Sequence, residues 1–371
     1  MHNKKIIGIL LLGFILRIIL LIVNTYYVTL PQGGFDAVGF EKQAYLIYTS
    51  GYSNLDYVYY FSSGARLLEL LGSFVYCVTG REPLFLGLIM VFLGCYSILL
   101  GYKAAYLLWN SHKYALTSAW LIALFPLLML HSAIFLREIP INVLLLLSII
   151  SFIRYWKDKS KKYIFSFLFY VFFASLFHSG LSFILVGLGY YVIFFTRKVR
   201  WGIKLMTLLL LISSLFIMNS TGFGLNKLGG SFDKSLELFQ ERENYELKGN
   251  SAYPPWLMLS RGLNDLWKIP LRNITFLFSP LVPFIVSSLW HVIGVLDALL
   301  YLFMFYVLYK RRRVFKLNDT AKAIIVMMLF TVFIFSLGVS NVGTAIRHRA
   351  KIAPILIVVF SGVNQINLKR N

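Results

Sequence analysis

Two stretches of this chain, Ile6 to Leu30 and Val282 to Tyr309, run for more than twenty residues with hardly a charge. A helix needs about 20 predominantly apolar residues to cross the hydrocarbon core of a bilayer, and both stretches meet that length. A soluble fold would have to cover them with polar surface. Only 14% of the 371 residues are charged, however, and 58% are hydrophobic, whereas about a quarter of a soluble domain is charged. The expected class is therefore all-α, a polytopic transmembrane helical bundle forming a single integral membrane domain over 1–371.

Further apolar stretches extend the count. With the first at 6–30, they lie at 84–108, 115–136, 139–156, 163–179, 181–196, 203–220, 284–309, 320–340 and 350–366, which gives about ten spans. The first is too long for a signal peptide and ends without a small-residue cleavage pattern, so it is expected to remain as a span. Cys77 and Cys95 sit among apolar residues and read as small buried hydrophobes rather than a disulfide or metal site.

Lysine and arginine orient the chain. With the N-terminus inside, the inner segments carry 20 Lys and Arg against Asp158 and Asp319, while the outer segments are nearly balanced. That asymmetry predicts cytoplasmic N- and C-termini in a multi-pass cell-membrane protein. It also argues against nucleic acid as a partner, because the basic residues are short anchors scattered between spans rather than one patch. Two outer segments are long, about 31–83 and 221–283. The first contains an amphipathic run, Tyr57 to Thr79, whose Arg66 and Glu69 favour an interfacial helix over a span. In the second, Trp256, Trp267, Pro270, Pro280 and Pro283 read as interfacial or re-entrant.

Phosphate-binding glycine loops, HExxH, CxxC and GxSxG signatures are missing, as is an Asp-x-Asp pair of the kind that holds a metal against a nucleotide diphosphate. What remains is a set of polar residues at the outer mouths of spans, where charge is expensive unless paired or used. Asp36 and Glu41 follow span 1, and a carboxylate there can serve as a general base on a hydroxyl. Arg137 and Glu138 form the turn before 139–156, the arginine suited to a phosphate and the acid to a proton, although a plain turn salt bridge explains the same pair. His178 ends the next span, as a phosphate contact or as a capping residue. Arg347, His348, Arg349 and Lys351 gather before the last span, against the positive-inside tendency, and a pyrophosphate is their natural ligand. Asp297, within 284–309 and two turns beyond His291, reads as a buried structural group.

At these residues a resemblance emerges. GFDAVGFEKQA at 34–44, and Ala123 to Pro126 followed by Leu136-Arg137-Glu138, resemble segments of the GT-C superfamily of membrane glycosyltransferases. The layout from Leu136 through the basic loop to Phe177-His178-Ser179-Gly180, together with the length, is similar to the EpsG and Wzy-type polysaccharide polymerases; Arg347 to Arg349 with Pro354 is similar to a closing segment in several of these families. The resemblance implies a GT-C-like helical fold with outer-face interfacial helices. It also implies transfer of sugar from a polyprenyl-(pyro)phosphate-linked donor to a glycan acceptor at the outer face, in cell-surface (capsular or exo-) polysaccharide biosynthesis.

On that reading Asp36 and Glu138 are the catalytic residues, and Arg137, His178, Arg347, His348 and Arg349 bind the pyrophosphate. No cofactor is required, and a divalent cation is left open. The leading expectation is a repeat-unit polymerase. The alternatives are a GT-C transferase that moves one sugar from a polyprenyl monophosphate, and a flippase or transporter of lipid-linked glycan, for which charges deep in several spans are the expected sign.

Overall fold

A computed structural model describes residues 2–53, 55–61, 63–196, 201–202, 204–205, 208–209, 251–259, 262–313 and 318–363. Most of the expected span at 203–220, and most of the polar part of the segment 221–283, lie outside the described residues. Among the described residues every regular element is helical, and extended pairing is limited to an isolated antiparallel bridge between Ala252 and Asn341. The helices group into two compact units, one built from residues 1–178, 303–320 and 350–371 and the other from 179–302 and 321–349.

Five described helices are long and apolar enough to cross a membrane: α1 (His2–Tyr26, apolar from Lys4), α5 (Pro83–Trp109), α8 (Glu138–Asp158), α12 (Leu289–Lys310) and α13 (Asp319–Leu337). Three of them begin or end at a residue that dictates the boundary. Glu82 caps α5 through the Leu84 amide, and proline occupies the first position of that helix. Asn110 and Lys159 close α5 and α8 in the left-handed conformation. Acidic Glu138 and Asp319 sit in the first turns of α8 and α13, where the helix dipole favours negative charge.

The remaining apolar stretches differ from single long helices. The one at 115–136 is two elements, α6 (His112–Leu124) and α7 (Pro126–His131). Pro126 has no N–H and pushes Phe125 to an extended conformation (φ −64°, ψ 121°). The break leaves carbonyls of α6 without intrahelical donors, and Arg17 of α1 supplies them: Nη1 donates to Ala123 O (3.1 Å) and Nη2 to Ile122 O (3.2 Å). An arginine in the first apolar helix is thus fully buried yet hydrogen-bonded, as burial of a cation requires.

The long segment after α1 folds as α2 (Phe35–Ser50), the short α3 (Tyr57–Phe61) and α4 (Gly64–Thr79). On α4, Leu67, Leu68 and Leu70 are buried while Leu71, Phe74 and Val78 face outward, the two-sided pattern of an amphipathic helix. Glu41 of α2 joins the layers: its carboxylate accepts from Tyr76 Oη at 2.8 Å and from Arg81 Nε at 3.1 Å, and Arg81 stacks on the Tyr45 ring at 4.3 Å. The next stretches form α9 (Lys161–Phe177) and α10 (Phe183–Phe195), separated by a single 3₁₀ turn at Ser179–Ser182.

Within the second unit the chain from Gly262 forms a 3₁₀ turn and then α11 (Ile269–Phe278). Trp256 and Trp267 are exposed, whereas Arg272 is entirely buried. Its guanidinium gathers the carbonyls that end α13, from Ser336 (3.1 Å), Leu337 (3.2 Å) and Val339 (2.7 Å). These are the acceptors a helix C-terminus leaves open. Beyond them, Asn341 caps α14 (Val342–Arg349) by accepting from the Gly343 and Thr344 amides at 2.8 and 3.2 Å. The last described helix, α15 (Ala353–Val363), belongs to the first unit and is buried along its length.

Candidate functional site

In the first unit, two helix ends meet. The N-terminus of α8 follows Arg137, and the C-terminus of α9 ends at Phe177, with His178 as its extended cap. Arg137 Nη1 donates to the Phe177 carbonyl at 3.4 Å, which satisfies one of the open acceptors of α9 and carries a cation to a negative helix end. The closeness of the chain here depends on Gly64, because a Cβ at that position would fall 1.7 Å from Phe177 O. Arg137 and His178 are both half-buried, so they sit at the edge of the packed helices rather than in their centre.

Glu138, one residue on, is completely buried. Its Oε1 lies 3.4 Å from Lys351 Nζ, also completely buried, on the turn between α14 and α15. Burying a carboxylate and an ammonium separately would be prohibitive, and pairing them is what makes the position tenable. Arg137, Glu138 and His178, picked from sequence, are therefore brought to one junction of α8 and α9. Asp36, the other proposed carboxylate, is exposed in the first turn of α2. Its neighbour in sequence, Glu41, is engaged by Tyr76 and Arg81.

The second unit holds the remaining basic residues on α14. Arg349 is fully buried, and its guanidinium is almost wholly engaged by protein acceptors: Nε on Asp297 Oδ2 at 2.6 Å, Nη1 on Leu277 O at 3.1 Å and on Ser279 O, and Nη2 on Gly294 O at 2.7 Å. Tyr301 adds a bond from its hydroxyl to the Arg349 carbonyl at 2.7 Å and lays its ring under the guanidinium at 5.5 Å. A guanidinium has five N–H groups, and four are spent here. Arg349 thus anchors α14 to α11 and α12. Arg347 and His348 are 7% and 9% exposed, and the Phe335 ring meets the His348 imidazole edge-on at 5.5 Å.

This pairing gives a physical account of the basic cluster at 347–351. Two of its four cationic positions, Arg349 and Lys351, close ion pairs with Asp297 and Glu138, each within its own unit. Sequence reading singled out both acids and placed neither against its partner. It also passed over Asn142, a buried amide one turn after Glu138 in an otherwise apolar stretch, where a polar residue on a buried face was the available signal. Among the described residues, no group of three or more His, Cys, Asp or Glu side chains is placed to hold a metal ion. No protein-family model matches this chain, and no curated protein matches it.

Proposed function

We propose that the protein is a multi-pass membrane glycosyltransferase, with about ten passes and both termini cytoplasmic. It uses a polyprenyl-(pyro)phosphate-linked sugar at the outer face of the cell membrane and acts as a repeat-unit polymerase in cell-surface polysaccharide synthesis. The observation that carries the reading is the junction of α8 and α9, where Arg137, Glu138 and His178 converge from residues forty apart. A guanidinium at the edge of the fold suits a phosphate, and a carboxylate beside it suits a hydroxyl proton. The outer loops rich in Tyr and Trp suit sugar faces.

In this reaction the anomeric carbon–oxygen bond to the pyrophosphate breaks as a bond to the acceptor hydroxyl forms. The hydroxyl proton passes to a carboxylate, and the polyprenyl pyrophosphate leaves with its charge met by Arg137. Glu138 or Asp36 takes the proton. Glu138 has the better company, standing next to Arg137 in sequence and facing Lys351, while exposed Asp36 has the better access. Arg347 and His348 bring the same anion-binding chemistry to the second unit, on a helix that Arg349 holds in place.

Binding tests the reading directly. A photoreactive polyprenyl-pyrophosphate sugar should crosslink to the purified protein, and Arg137→Ala should weaken capture at least tenfold. Equal capture by the variant removes Arg137 from the reading.

One observation favours a second reading, a transporter of lipid-linked glycan. Charged groups lie buried in the apolar helices themselves, Arg17 in α1 and Asp297 in α12, as such proteins require. Here both serve protein partners, Arg17 the carbonyls of α6 and Asp297 the guanidinium of Arg349, which places the transporter second.

A further inference from the structure

Asn142 stands one helical turn beyond Glu138 on α8, so the two side chains share a face of that helix. Both are completely buried, as is Lys351 opposite Glu138. Neither the amide nitrogen nor the amide oxygen of Asn142 has a hydrogen-bond partner among the described residues. Folded proteins leave few such groups dry. A buried amide is satisfied by protein or by an ordered molecule, and ordered water settles where two to four polar partners converge.

The chemistry of the surroundings narrows the occupant. The amide offers donors and an acceptor together, which a hydroxyl matches because it also does both. An anion would meet the Glu138 carboxylate, and a cation would meet the Lys351 ammonium. Either would upset a pair that is already balanced in a medium where charge is costly.

We propose that Asn142, with Glu138 and Lys351, forms a binding site for a single neutral hydroxyl in the first unit. In the resting protein that hydroxyl belongs to a water molecule. If the glycosyltransferase reading holds, on which this second occupant rests, an acceptor sugar hydroxyl takes the place of the water beside Glu138. Asn142 then positions the hydroxyl, and a proton leaving it has a carboxylate one helical turn away.

Radiolytic footprinting of the full-length protein in detergent micelles tests the site, because a radical formed from a bound water marks the side chains around it even where bulk solvent has no access. Leu145 and Leu146, fully buried and three and four residues beyond Asn142, should be oxidised in the wild type and spared in Asn142→Leu. The same variant should lower the thermal unfolding midpoint, since it strips a satisfied hydroxyl of its partner. Unmarked Leu145 and Leu146 in the wild type, or a raised midpoint in Asn142→Leu, would overturn the proposal by showing the amide to be dry.

Excess methyl β-cellobioside separates the two sources. Protection of Leu145 and Leu146 by the glycoside shows that a sugar hydroxyl displaces the water, and unchanged marking shows a water site. Marking in a protein that transfers no sugar keeps the hydroxyl site and sinks the glycosyltransferase reading. Absent marking in a protein that polymerises does the reverse.

Discussion

Arg349 Nε lies 2.6 Å from Asp297 Oδ2, fifty-two residues away in sequence, and neither side chain is exposed at all. The second unit therefore turns on a charge pair that also holds the carbonyls of Leu277, Ser279 and Gly294. Removing one partner strands the other charge, at a cost of about 3–5 kcal/mol. Asp297→Ala and Arg349→Met should each lower the unfolding midpoint sharply in detergent. The double variant should be milder than the sum of the two. A strictly additive pair of losses would show that the side chains do not act together.

Arg137 is predicted to matter for turnover more than for folding. It is half-buried, and its bond to Phe177 O is long at 3.4 Å, so Arg137→Ala should leave the unfolding midpoint nearly unchanged. Product formation should fall by about 100-fold, the scale of losing one charge-stabilising donor at a reacting centre. Arg137→Lys should recover part of it, because an ammonium keeps the charge but not the planar fork. A variant with wild-type turnover contradicts the assignment.

Two glycines should respond in opposite directions. Gly64→Ala forces a Cβ to within 1.7 Å of backbone at Phe177, and no side-chain adjustment relieves such an overlap, so the variant should be strongly destabilised or fail to assemble. Gly39, inside α2, has open space around a Cβ. Gly39→Ala should gain about 0.5–1 kcal/mol from reduced freedom of the unfolded chain. Calorimetry of both variants checks the pair.

Glu69, on the amphipathic α4, is half-buried, and burial pushes its carboxyl above the ordinary range, with Arg66 pulling weakly the other way. A raised carboxyl favours the protonated form in the folded state. The penalty for ionisation is therefore absent below the unfolded value and complete once pH exceeds the folded one. Glu69→Gln should stabilise the protein at neutral pH, and the gain should vanish as pH falls through the ordinary glutamate range. A gain that persists in acid contradicts the assignment to ionisation.

Much of this arrangement can be traced in the sequence, and the gaps have identifiable causes. Long apolar stretches locate α1, α5, α8, α12 and α13, because helix length and apolarity are properties of contiguous residues. At 115–136 apolarity alone conceals the break that Pro126 makes, and only the imino acid in the middle of the stretch marks it. Arg137, Glu138 and His178 were legible as polar residues where helices end. Their convergence depends on how α8 packs on α9, which periodicity does not specify. The partners of Asp297 and Glu138 were the least accessible, since helical spacing shows which face a residue takes and not which distant cation faces it. Arg272 was lost in a segment rich in Trp and Pro, yet it is buried because the end of α13 offers it carbonyls.

The most direct measurement reconstitutes the purified protein in liposomes with a polyprenyl-pyrophosphate-linked repeat unit and separates the glycans on a gel. The account predicts a ladder whose rungs differ by one whole repeat, collapsed to the starting unit by Arg137→Ala. A single added sugar with a polyprenyl-monophosphate donor would assign the simpler transferase. Glycan that crosses the bilayer unlengthened would contradict the enzyme reading altogether.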